Sequence, residues 1–520
     1  MKECRGFRIG SREDGVVCDD GLFNRFLFLG SIEPVLRKWS RGMAQLFLPP
    51  EVCDDKAMSE LSKNLLFRSA YFIGIKGQGM CALAQVFQGR GVAVSGSDTE
   101  EEFSTDAVLK RLGIPVYEGF QRENVPHDVE AVFYSTAYGE DDPEVERARE
   151  LGKPLYTYTD GLRMILERGV GIGVAGTHGK TTTAAMLGRI LEDAGYDPTV
   201  IVGGKVLEWD ANARVGESVW VVAEADEYQK KFLEYPLKHL ILTSIEYDHP
   251  DDFATPEEYE DCFRKLLEQM PAGGIVVYNE RYEAVRKVIA KCGAHVKRLP
   301  YHYEIAASPP ALPSGATEGP RNDGGDDALL RLSGWHNREN ALAALTMAEA
   351  LGVHREAALR TLKNFRGTAR RFEIYCDVPH EALAKGGVPV AVIDDYAHHP
   401  GAIEATIDAA REKYPGRNLW AVFQPHTFSR TKALLNDFAG ALAKADHALV
   451  LDIYGSAREL GGGVHSKDLV ALIPGAIYTP TLDDATNYLS TNVKAGDVVI
   501  AMGAGDVWRV ARDIKNQISK

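Results

Sequence analysis

Residues Gly171–Met186 read GIGVAGTHGKTTTAAM, and this stretch decides how the middle of the chain folds. An apolar run that includes Ile172 and Val174 predicts a strand, and the helix-forming residues after Thr183 predict a helix. A strand, a glycine-rich turn with Lys-Thr and a helix form a phosphate-binding loop (P-loop), because glycines let backbone N–H groups and the helix N-terminus meet phosphate oxygens. We therefore predict that ATP is bound by Gly176, Thr177, His178, Gly179, Lys180, Thr181 and Thr182.

Two residues of this loop have a predicted chemical role. Lys180 is placed to reach the β and γ phosphates, and the Thr181 hydroxyl is placed to hold Mg²⁺. Val174 stands five residues before Gly179, where the common form of the loop has a glycine, so the loop here is the shorter G-x-x-G-K-T. The alternative is a glycine-rich turn with an incidental lysine.

Composition sets the class of protein. A chain of 520 residues has the length of about three domains. A hydrophobic content of 45% and a charged content of 26% are those of an ordinary soluble protein. The net charge of −15, with no long basic run, argues against nucleic acid or an anionic membrane as a partner. An anionic substrate must then be bound by local Lys, Arg and backbone N–H groups and by Mg²⁺.

Cysteine usage and hydropathy favour the cytoplasm. The cysteines are scattered without a C-x-x-C pair, which is typical of reduced thiols rather than of a disulfide framework or a zinc site. No stretch has roughly eighteen apolar residues in a row, and the first residues carry charge without a secretory signal. We expect a cytoplasmic protein with no membrane insertion. The seven cysteines are Cys4, Cys18, Cys53, Cys81, Cys262, Cys292 and Cys376.

The segment that leads to Asp98 predicts another nucleotide-binding unit. The apolar residues Tyr71–Ile75 indicate a buried strand, the turn KGQGM follows, and a helical stretch leads to a second strand that ends at Asp98. This is the layout of a dinucleotide-binding fold. Asp98 could hold a ribose hydroxyl or cap the next helix, and the sequence favours neither. A later strand ends at Ser135, at the edge where ligands sit in open α/β sheets.

Two strands after the P-loop end in polar residues that could bind a metal ion. One ends at Glu224 within EADEY, and another ends at His249 within IEYDHPD. Carboxylate and imidazole ligands beside a phosphate loop suit Mg²⁺ bound to phosphate oxygens. We favour Thr181, Glu224 and His249 as metal ligands over a helix N-cap for Glu224 and a turn histidine for His249. Together with Lys180, Glu224 and His249 are the candidate catalytic residues.

A helix rich in Ala and Leu begins near GWHNREN and carries two amides. Asn337 and Asn340 are three residues apart and so lie on one helical face, where they could hold adenine or a ribose hydroxyl. A plain N-cap is the alternative. Before this helix, residues 306–328 are rich in Pro, Gly, Ser and Asp with no apolar period, which predicts a flexible surface insertion.

A third α/β unit follows the short basic turn GTARRFE. Several apolar strands there each end in a polar cluster, of which DDYAHHP and FQPHTFSRT carry the most chemistry. Strands that alternate with helical segments indicate a mainly parallel sheet. We therefore predict an N-terminal extension of unknown role at 1–67 and three α/β domains at 68–166, 167–372 and 373–520.

Ten motifs together resemble the Mur ligases of peptidoglycan synthesis. The resemblance covers about Ala70 to Ala511 and implies three domains: a Rossmann-like UDP-binding domain, a central P-loop ATPase domain and a C-terminal Rossmann-like domain that closes over both. The motifs, in the order of the family, are FIGIKGQGM, SGSD, GTHGKTTT, EADEY, IEYDHPD, GWHNREN, GTARRFE, DDYAHHP, FQPHTFSRT and GAGD.

The resemblance implies roles for residues at matching positions. Lys180 and Thr181 match the positions that bind the γ-phosphate and Mg²⁺, Glu224 and His249 match metal ligands, and Asn337 and Asn340 match the adenine side. Two more match positions that contact ATP when the domains close: Arg371 and Asp395. The UDP-sugar side is matched by Gly77, Gly79, Met80, Asp98 and Ser135, and candidates for the amino acid side are Arg430, His398 and Tyr396.

The resemblance is closest to the alanine-adding branch of the family. It implies an ADP-forming carbon–nitrogen ligase that joins L-alanine to the lactyl carboxylate of UDP-N-acetylmuramate through an acyl phosphate, as a monomer or homodimer. FQPHTFSRT favours this branch over the recycling ligases that add a tripeptide to the same sugar nucleotide. Two departures stand out: Lys76 replaces a common glycine, and residues 1–67 and 306–328 have no recognised counterpart in the family. Thr427 also stands where the alanine-adding enzymes often have arginine, which leaves Arg430 as the candidate for the amino acid carboxylate.

The sequence also suggests functions of two other classes. A module that senses ATP and the UDP-sugar without turnover draws support from Lys76 and the insertion, but the intact G-K-T, Glu224 and His249 oppose it. A nicotinamide dehydrogenase built on the first unit leaves the ATP loop unexplained. The base that deprotonates the incoming amine is not fixed by the sequence; His398 is a candidate, and a structural turn histidine is as good a reading.

Overall fold

A computed structural model of the chain describes residues 67–139, 141–302, 332–376, 390–455 and 461–518. These residues form three sheets, one in each predicted α/β unit, and the predicted fold class is confirmed. The domain boundaries stay a prediction. The predicted extension at 1–67, apart from its last residue, and the predicted insertion at 306–328 lie outside the described residues.

The first sheet has five parallel strands in the order β3-β2-β1-β4-β5. Its central strand is buried on both faces because helices cover both sides of a parallel sheet. The strands are β1 (Ser69–Ile73), β2 (Ala93–Asp98), β3 (Val116–Glu118), β4 (Ala131–Tyr134) and β5 (Leu155–Thr157). The helices are α1 (Gln78–Gly89), α2 (Asp106–Arg111), α3 (Pro143–Glu150) and α4 (Tyr158–Leu166), and a 3₁₀ turn spans Arg122–Asn124.

The middle sheet has seven strands in the order β12-β11-β10-β6-β9-β7-β8, with the P-loop strand β6 at its centre. All neighbours are parallel except β7 and β8, an antiparallel hairpin that the sequence analysis did not predict. The strands are β6 (Val170–Ala175), β7 (Thr199–Val206), β8 (Ala211–Arg214), β9 (Trp220–Glu224), β10 (Leu237–Leu242), β11 (Ile275–Asn279) and β12 (Lys297–Tyr301). The helices are α5 (Lys180–Asp193), α6 (Pro256–Gln269), α7 (Glu283–Ala290), α8 (Trp335–Ala350) and α9 (Arg355–Asn364), with a 3₁₀ segment at Tyr228–Glu234.

The third sheet has six strands in the order β13-β14-β18-β15-β16-β17, and only β13 is antiparallel to its neighbour. The strands are β13 (Glu373–Cys376), β14 (Ala391–Asp395), β15 (Leu419–Phe423), β16 (His447–Val450), β17 (Ile477–Tyr478) and β18 (Val498–Met502). The helices are α10 (Pro400–Lys413), α11 (Phe428–Ala433), α12 (Leu435–Leu442), α13 (Ser466–Leu472), α14 (Leu482–Asn492) and α15 (Trp508–Ile518). Across the described ranges, no helix combines the length and the apolar character needed to cross a membrane.

The hydrophobic cores join the first two units and leave the third separate. One cluster of buried side chains runs from the first sheet into the middle sheet, where α1 packs against β7 and β8. Inside this interface Gln85 of α1 donates a hydrogen bond to the buried Asn212 of β8. The third sheet has an apolar cluster on each face, and within the described residues Phe372, at the boundary, is the one side chain of the other two units that either cluster includes.

Candidate active site

The P-loop opens into a cavity of about 750 Å³ that all three units line. Strand β6 lies between β9 and β10, so the segments after these two strands flank the loop at the carboxyl edge of the sheet, where ligands bind in open α/β folds. Gly176 and Asp98 do not line the cavity. The predicted site residues that do are Gly77, Gly79, Met80, Ser135, Thr177, His178, Gly179, Lys180, Thr181, Thr182, Glu224, His249, Asn337, Asn340, Arg371, Asp395, Tyr396, His398 and Arg430.

The start of α5 offers an anion site at the floor of the cavity. The helix begins at Lys180, directly after Gly179 at φ +79°, and no side chain caps it. The first N–H groups of this helix therefore have no acceptor within the helix, and the helix dipole gives this end a partial positive charge. Thr177 and His178 donate their backbone N–H groups to Ser244 over 3.0 Å, so these two amides are engaged within the protein. The backbone amides that remain candidates for phosphate binding are therefore those at the end of the loop.

Lys180 is held by a carboxylate at the end of β9. Its Nζ donates to Glu227 Oε2 over 2.8 Å and to the Gly176 carbonyl over 2.7 Å. Burial alone would lower the pKa of Lys180, but Glu227 and Asp226 raise it above its ordinary value. Glu227 is fully buried and also accepts a hydrogen bond from Tyr259 Oη over 2.9 Å. Lys180 is therefore a fixed cation at the phosphate site.

Glu224 and Thr181 form an oxygen-rich corner beside this lysine. Glu224 Oε2 accepts from the Gly203 N–H over 2.8 Å, whereas its Oε1 is buried without a hydrogen-bond partner. Burial raises the pKa of Glu224, and the neighbouring Thr181 hydroxyl and Arg371 act against this rise. Arg371 donates to Thr181 Oγ1 over 3.3 Å. An unpartnered buried carboxylate oxygen next to a hydroxyl fits the oxygen ligands that Mg²⁺ requires.

His249 belongs to a different group of ligands. Its ring lies with Asp226 and Glu227, and one ligand atom from each of the three falls within 4.8 Å of the others. Glu224 is not a member of this group. His249 itself has φ +56°, a conformation that a non-glycine residue adopts only when its surroundings enforce it. The structure therefore adds Asp226 and Glu227 to the neighbours of His249, and the ligand set of Thr181, Glu224 and His249 stays a prediction.

A second histidine–carboxylate group lies nearby and suits a metal less well. His178 Nε2 is 2.6 Å from Glu246 Oε2, and His399 completes the group. Both ring nitrogens of His399 are engaged with backbone, since Nδ1 accepts from the Gly401 N–H and Nε2 lies 3.3 Å from the Tyr247 carbonyl. We therefore assign no ion to this group.

The amide pair on α8 packs onto the P-loop. A side chain at Gly179 would collide with Asn340 Oδ1, which explains the glycine and its positive φ together. Asn340 also accepts a hydrogen bond from Thr183 over 3.2 Å, and Asn337 donates to the Ser333 carbonyl over 2.8 Å. Both asparagines line the cavity, so their predicted contact with the base or ribose is sterically open.

Lys76 points away from the cavity. Its Nζ donates to the carbonyls of Thr99 and Glu101 and lies 3.6 Å from the Asp106 carboxylate. The backbone N–H of Lys76 donates to Asp98 Oδ2 over 2.6 Å. Lys76 thus fastens the loop before α2 and leaves the glycine turn of the first unit open to a ligand.

Asp98 is buried among hydrogen-bond donors. It accepts from the Lys76 and Thr99 N–H groups and from Tyr138 Oη over 2.6 to 2.9 Å. Asp98 does not cap the next helix, which begins after Thr105 without a side-chain cap. The contact with a ribose hydroxyl stays a prediction. In this structure the carboxylate holds the turn that precedes α1.

Asp395 lines the cavity, but its carboxylate is hydrogen-bonded near the hinge, the short turn GTARRFE that joins the middle and third units. Its two carboxylate oxygens accept the N–H groups of Phe372 and Ala397, each over 2.8 Å. The hinge itself joins β7 through the Ala369 N–H, which donates to the Lys205 carbonyl over 2.7 Å. Asp395 therefore stabilises the hinge, and its contact with ATP stays a prediction.

The third unit contributes a cationic corner to the cavity, formed by Arg430 with His426 and His398. Arg430 is 4% exposed, and its Nε lies 2.7 Å from Oδ1 of Asp248, a middle-unit residue that the sequence analysis did not single out. Its Nη1 and Nη2 lie 3.3 Å from His426 Nδ1 and 3.4 Å from His249 Nδ1. Thr427, the residue that replaces the family's arginine, caps α11 by accepting the Arg430 N–H over 3.4 Å.

Two imidazoles of this corner stay neutral at neutral pH. Burial, assisted by Arg430, lowers the pKa of His426 to about 4 and the pKa of His398 well below its usual range. His398 Nδ1 lies 2.9 Å from the Tyr396 carbonyl. Because a carbonyl can only accept, Nδ1 carries the proton and Nε2 keeps a free lone pair.

Domain families match most of the chain. Residues 69–169 match "Mur ligase family, catalytic domain", residues 174–348 match "Mur ligase middle domain" and residues 370–505 match "Mur ligase, glutamate ligase domain". The three matches follow the order of the three sheets.

Named relatives agree with the domain matches. The chain is 38% identical to the UDP-N-acetylmuramate–L-alanine ligase of Desulfitobacterium hafniense, over 85% of this chain and 98% of that protein. It is 36% identical to the enzyme of that name from Agathobacter rectalis, over 85% and 97%. The crystal structure of UDP-N-acetylmuramate-alanine ligase from Thermotoga maritima superposes with a TM-score of 0.69 at 27% identity, over 87% and 100%. A murein peptide ligase from Psychrobacter arcticus shares the fold, with a TM-score of 0.63 at 23% identity, over 87% and 99%. The family predicted from the ten motifs is confirmed, and the chain belongs to the Mur ligase family.

Proposed function

We propose that this protein joins L-alanine to the lactyl carboxylate of UDP-N-acetylmuramate and converts ATP to ADP and phosphate. The observation that carries the proposal is that one cavity is lined by the start of α5, by the glycine turn of the first unit and by the cationic corner around Arg430. These are sites for a phosphate chain, a sugar nucleotide and an amino acid. The names of relatives that share 34 to 38% of their residues over nearly their whole length support this choice.

The chemistry requires activation of a poor electrophile. A carboxylate does not react with an amine until its oxygen becomes a good leaving group, and transfer of the γ-phosphoryl group of ATP gives an acyl phosphate. Lys180 and the first amides of α5 would stabilise the charge on the group in transfer, so catalysis is mainly positioning and electrostatics. Mg²⁺ would neutralise phosphate charge when bound, held by Thr181 and Glu224 on one side and by His249 on the other.

Arg430 and His398 fit the two ends of the amino acid. A guanidinium binds a carboxylate through parallel N–H bonds, and Arg430 lines the cavity. The free lone pair on His398 Nε2 suits the proton that the amine loses on attack. His398→Gln should therefore lower kcat more with L-alanine than with hydroxylamine, because hydroxylamine is the weaker base and loses its proton to water more readily. An equal loss with both nucleophiles would exclude His398 as the base.

The cytoplasm remains the proposed location, since Cys81, Cys262 and Cys292 are buried free thiols. ATP, UDP-N-acetylmuramate and L-alanine are the proposed small-molecule partners.

The test is an amine panel with ATP and UDP-N-acetylmuramate. Phosphate release and product mass are measured with L-alanine, glycine, L-serine, the cell-wall tripeptide and no amine. We expect the highest kcat/KM with L-alanine. A preference for the tripeptide would identify a recycling ligase, and no amine-dependent release would favour a sensing module.

A further inference from the structure

We infer that Asp248 is the positioning residue of the amino acid site: a carboxylate of the middle unit that fixes Arg430 of the third unit in its working orientation. This inference rests on the proposed function and names how one of its subsites is built. It also means that the amino acid site exists only when the middle and third units are together.

The geometry places Asp248 on one edge of the guanidinium. Asp248 Oδ1 lies 2.7 Å from Arg430 Nε, and the two side chains are 5% and 4% exposed. A carboxylate at Nε occupies the side of the guanidinium and leaves the Nη1 and Nη2 end for another partner. At that end Nη1 lies 3.3 Å from His426 Nδ1 and Nη2 lies 3.4 Å from His249 Nδ1, and all three residues line the cavity.

The same carboxylate also fixes the middle-unit side of the site. Asp248 Oδ1 accepts the N–H of His249 over 2.7 Å, and His249 is the residue with φ +56°. One buried carboxylate therefore holds both the backbone of a candidate metal ligand and the guanidinium of the candidate amino acid site. A side chain that joins two functional groups from two units is better explained by positioning than by general stability.

The contact is an ion pair by its geometry. A carboxylate oxygen lies 2.7 Å from a guanidinium nitrogen, and the side chains of Asp248 and Arg430 are both almost fully buried. A buried pair of this kind also has a cost in desolvation, which makes it poor evidence for stability alone.

The test replaces Asp248 with the isosteric amide. In Asp248→Asn the amide oxygen can still accept from Arg430 and His249, but the charge that holds the guanidinium is lost. We expect the KM for L-alanine to rise about tenfold or more, as for a lost charge-assisted hydrogen bond. The KM for UDP-N-acetylmuramate should stay within roughly twofold, because its site lies in the first unit, and any rise in the KM for ATP through His249 should be smaller than the rise for L-alanine.

A double-mutant cycle separates positioning from a structural role. If Asp248 acts through Arg430, Asp248→Asn adds little to the alanine KM of Arg430→Met, and the two changes are non-additive. Asp252→Asn is the matched control, since Asp252 lies in the same loop, accepts the Gln229 N–H and does not line the cavity. Asp252→Asn should leave all three KM values unchanged.

Two results would overturn the inference. One is an unchanged alanine KM in a folded Asp248→Asn protein, and the other is an equal rise in all three KM values. If Asp248→Asn does not fold, Asp248→Glu retains the charge but displaces the guanidinium, and it should still raise the alanine KM selectively. Failure of the proposed function looks different, because the unmodified protein would then show no alanine-dependent phosphate release.

Discussion

The first and middle units meet through apolar side chains, whereas the middle and third units meet through polar and charged ones. At the first interface α1 packs on β7 and β8 within one continuous cluster of buried residues. At the second, Arg430 pairs with Asp248, Glu412 pairs with Arg338, and His178 lies beside His399. Apolar burial stabilises a permanent contact, while an interface that must admit substrates needs groups that water can also solvate. The position of the cavity at the polar interface follows from this difference.

The largest expected effect is at the P-loop. Lys180→Ala should lower kcat by roughly 10³-fold or more, because the γ-phosphoryl group in transfer loses its fixed cation. Steady-state phosphate release measures this. The same change leaves the buried Glu227 without its cation, so stability should fall as well.

A second variant separates these two effects. In Lys180→Ala/Glu227→Gln both charges are removed, so the melting temperature should recover while kcat stays low. Near-normal turnover in either variant would remove Lys180 from the mechanism.

The next effect tests the apolar interface. Ala213 lies in β8 within the shared cluster and is 6% exposed. Ala213→Asp would bury a carboxylate without a partner, and we expect a loss of about 3 to 5 kcal/mol in the free energy of unfolding. Denaturant unfolding measures this loss.

A substitution at the polar interface, between the middle and third units, is the counterpart of Ala213→Asp. Glu412 of α10 pairs with Arg338 of α8 across the middle and third units, and the glutamate is largely exposed. Glu412→Gln should cost no more than about 1 kcal/mol. Equal losses in the two variants would contradict the distinction between the interfaces.

The sequence predicted much of this molecule because its signals are local. The P-loop, the helix it opens and the strand that ends at Glu224 follow from runs of a few residues. The strand before His249 ends earlier than predicted, at Leu242, but His249 still lines the same cavity. The contacts that define the cationic corner are not local. Asp248 stands 182 residues before Arg430 in the sequence, so no periodicity links them.

Two smaller differences between the sequence predictions and the structure also come from contacts that are not local in sequence. Lys76 replaces a glycine of the family, and only the structure shows that its Nζ is directed to the carbonyls of Thr99 and Glu101. Asp98 ends a strand as a ribose-binding acid would, but tertiary contacts with Tyr138 and two backbone N–H groups occupy it. Strand patterns reveal where a side chain stands and not which partner reaches it.

The smallest expected effect is on the pH dependence of the polar interface. Burial lowers the pKa of His399 and His426 from 6.5 to about 4. Below pH 6.5 the unfolded chain binds protons that the folded site excludes, so their stabilising contribution is present above pH 6.5 and is lost as the pH falls towards 4. The elements α1, β7 and β8 contain no histidine.

Acidification should therefore loosen the third unit before the first. Proteolysis at pH 7.5 and pH 5 measures this, with faster cleavage expected in residues 390–455 at pH 5. Equal acceleration in residues 69–139 would argue against a separate response of the polar interface.

Amide hydrogen exchange at the two interfaces tests the central proposal that bound substrates hold the third unit against a permanently packed pair of units. Exchange is compared without ligands and with a non-hydrolysable ATP analogue, UDP-N-acetylmuramate and L-alanine. We expect Glu246–His249 and His426–Arg430 to exchange more slowly with the ligands than without them, because bound substrates keep Asp248 and Arg430 paired for a larger share of the time. Gln78–Gly89 and Ala211–Arg214 should exchange slowly in both states. Ligand-dependent protection of equal size at both interfaces, or at neither, would contradict the account.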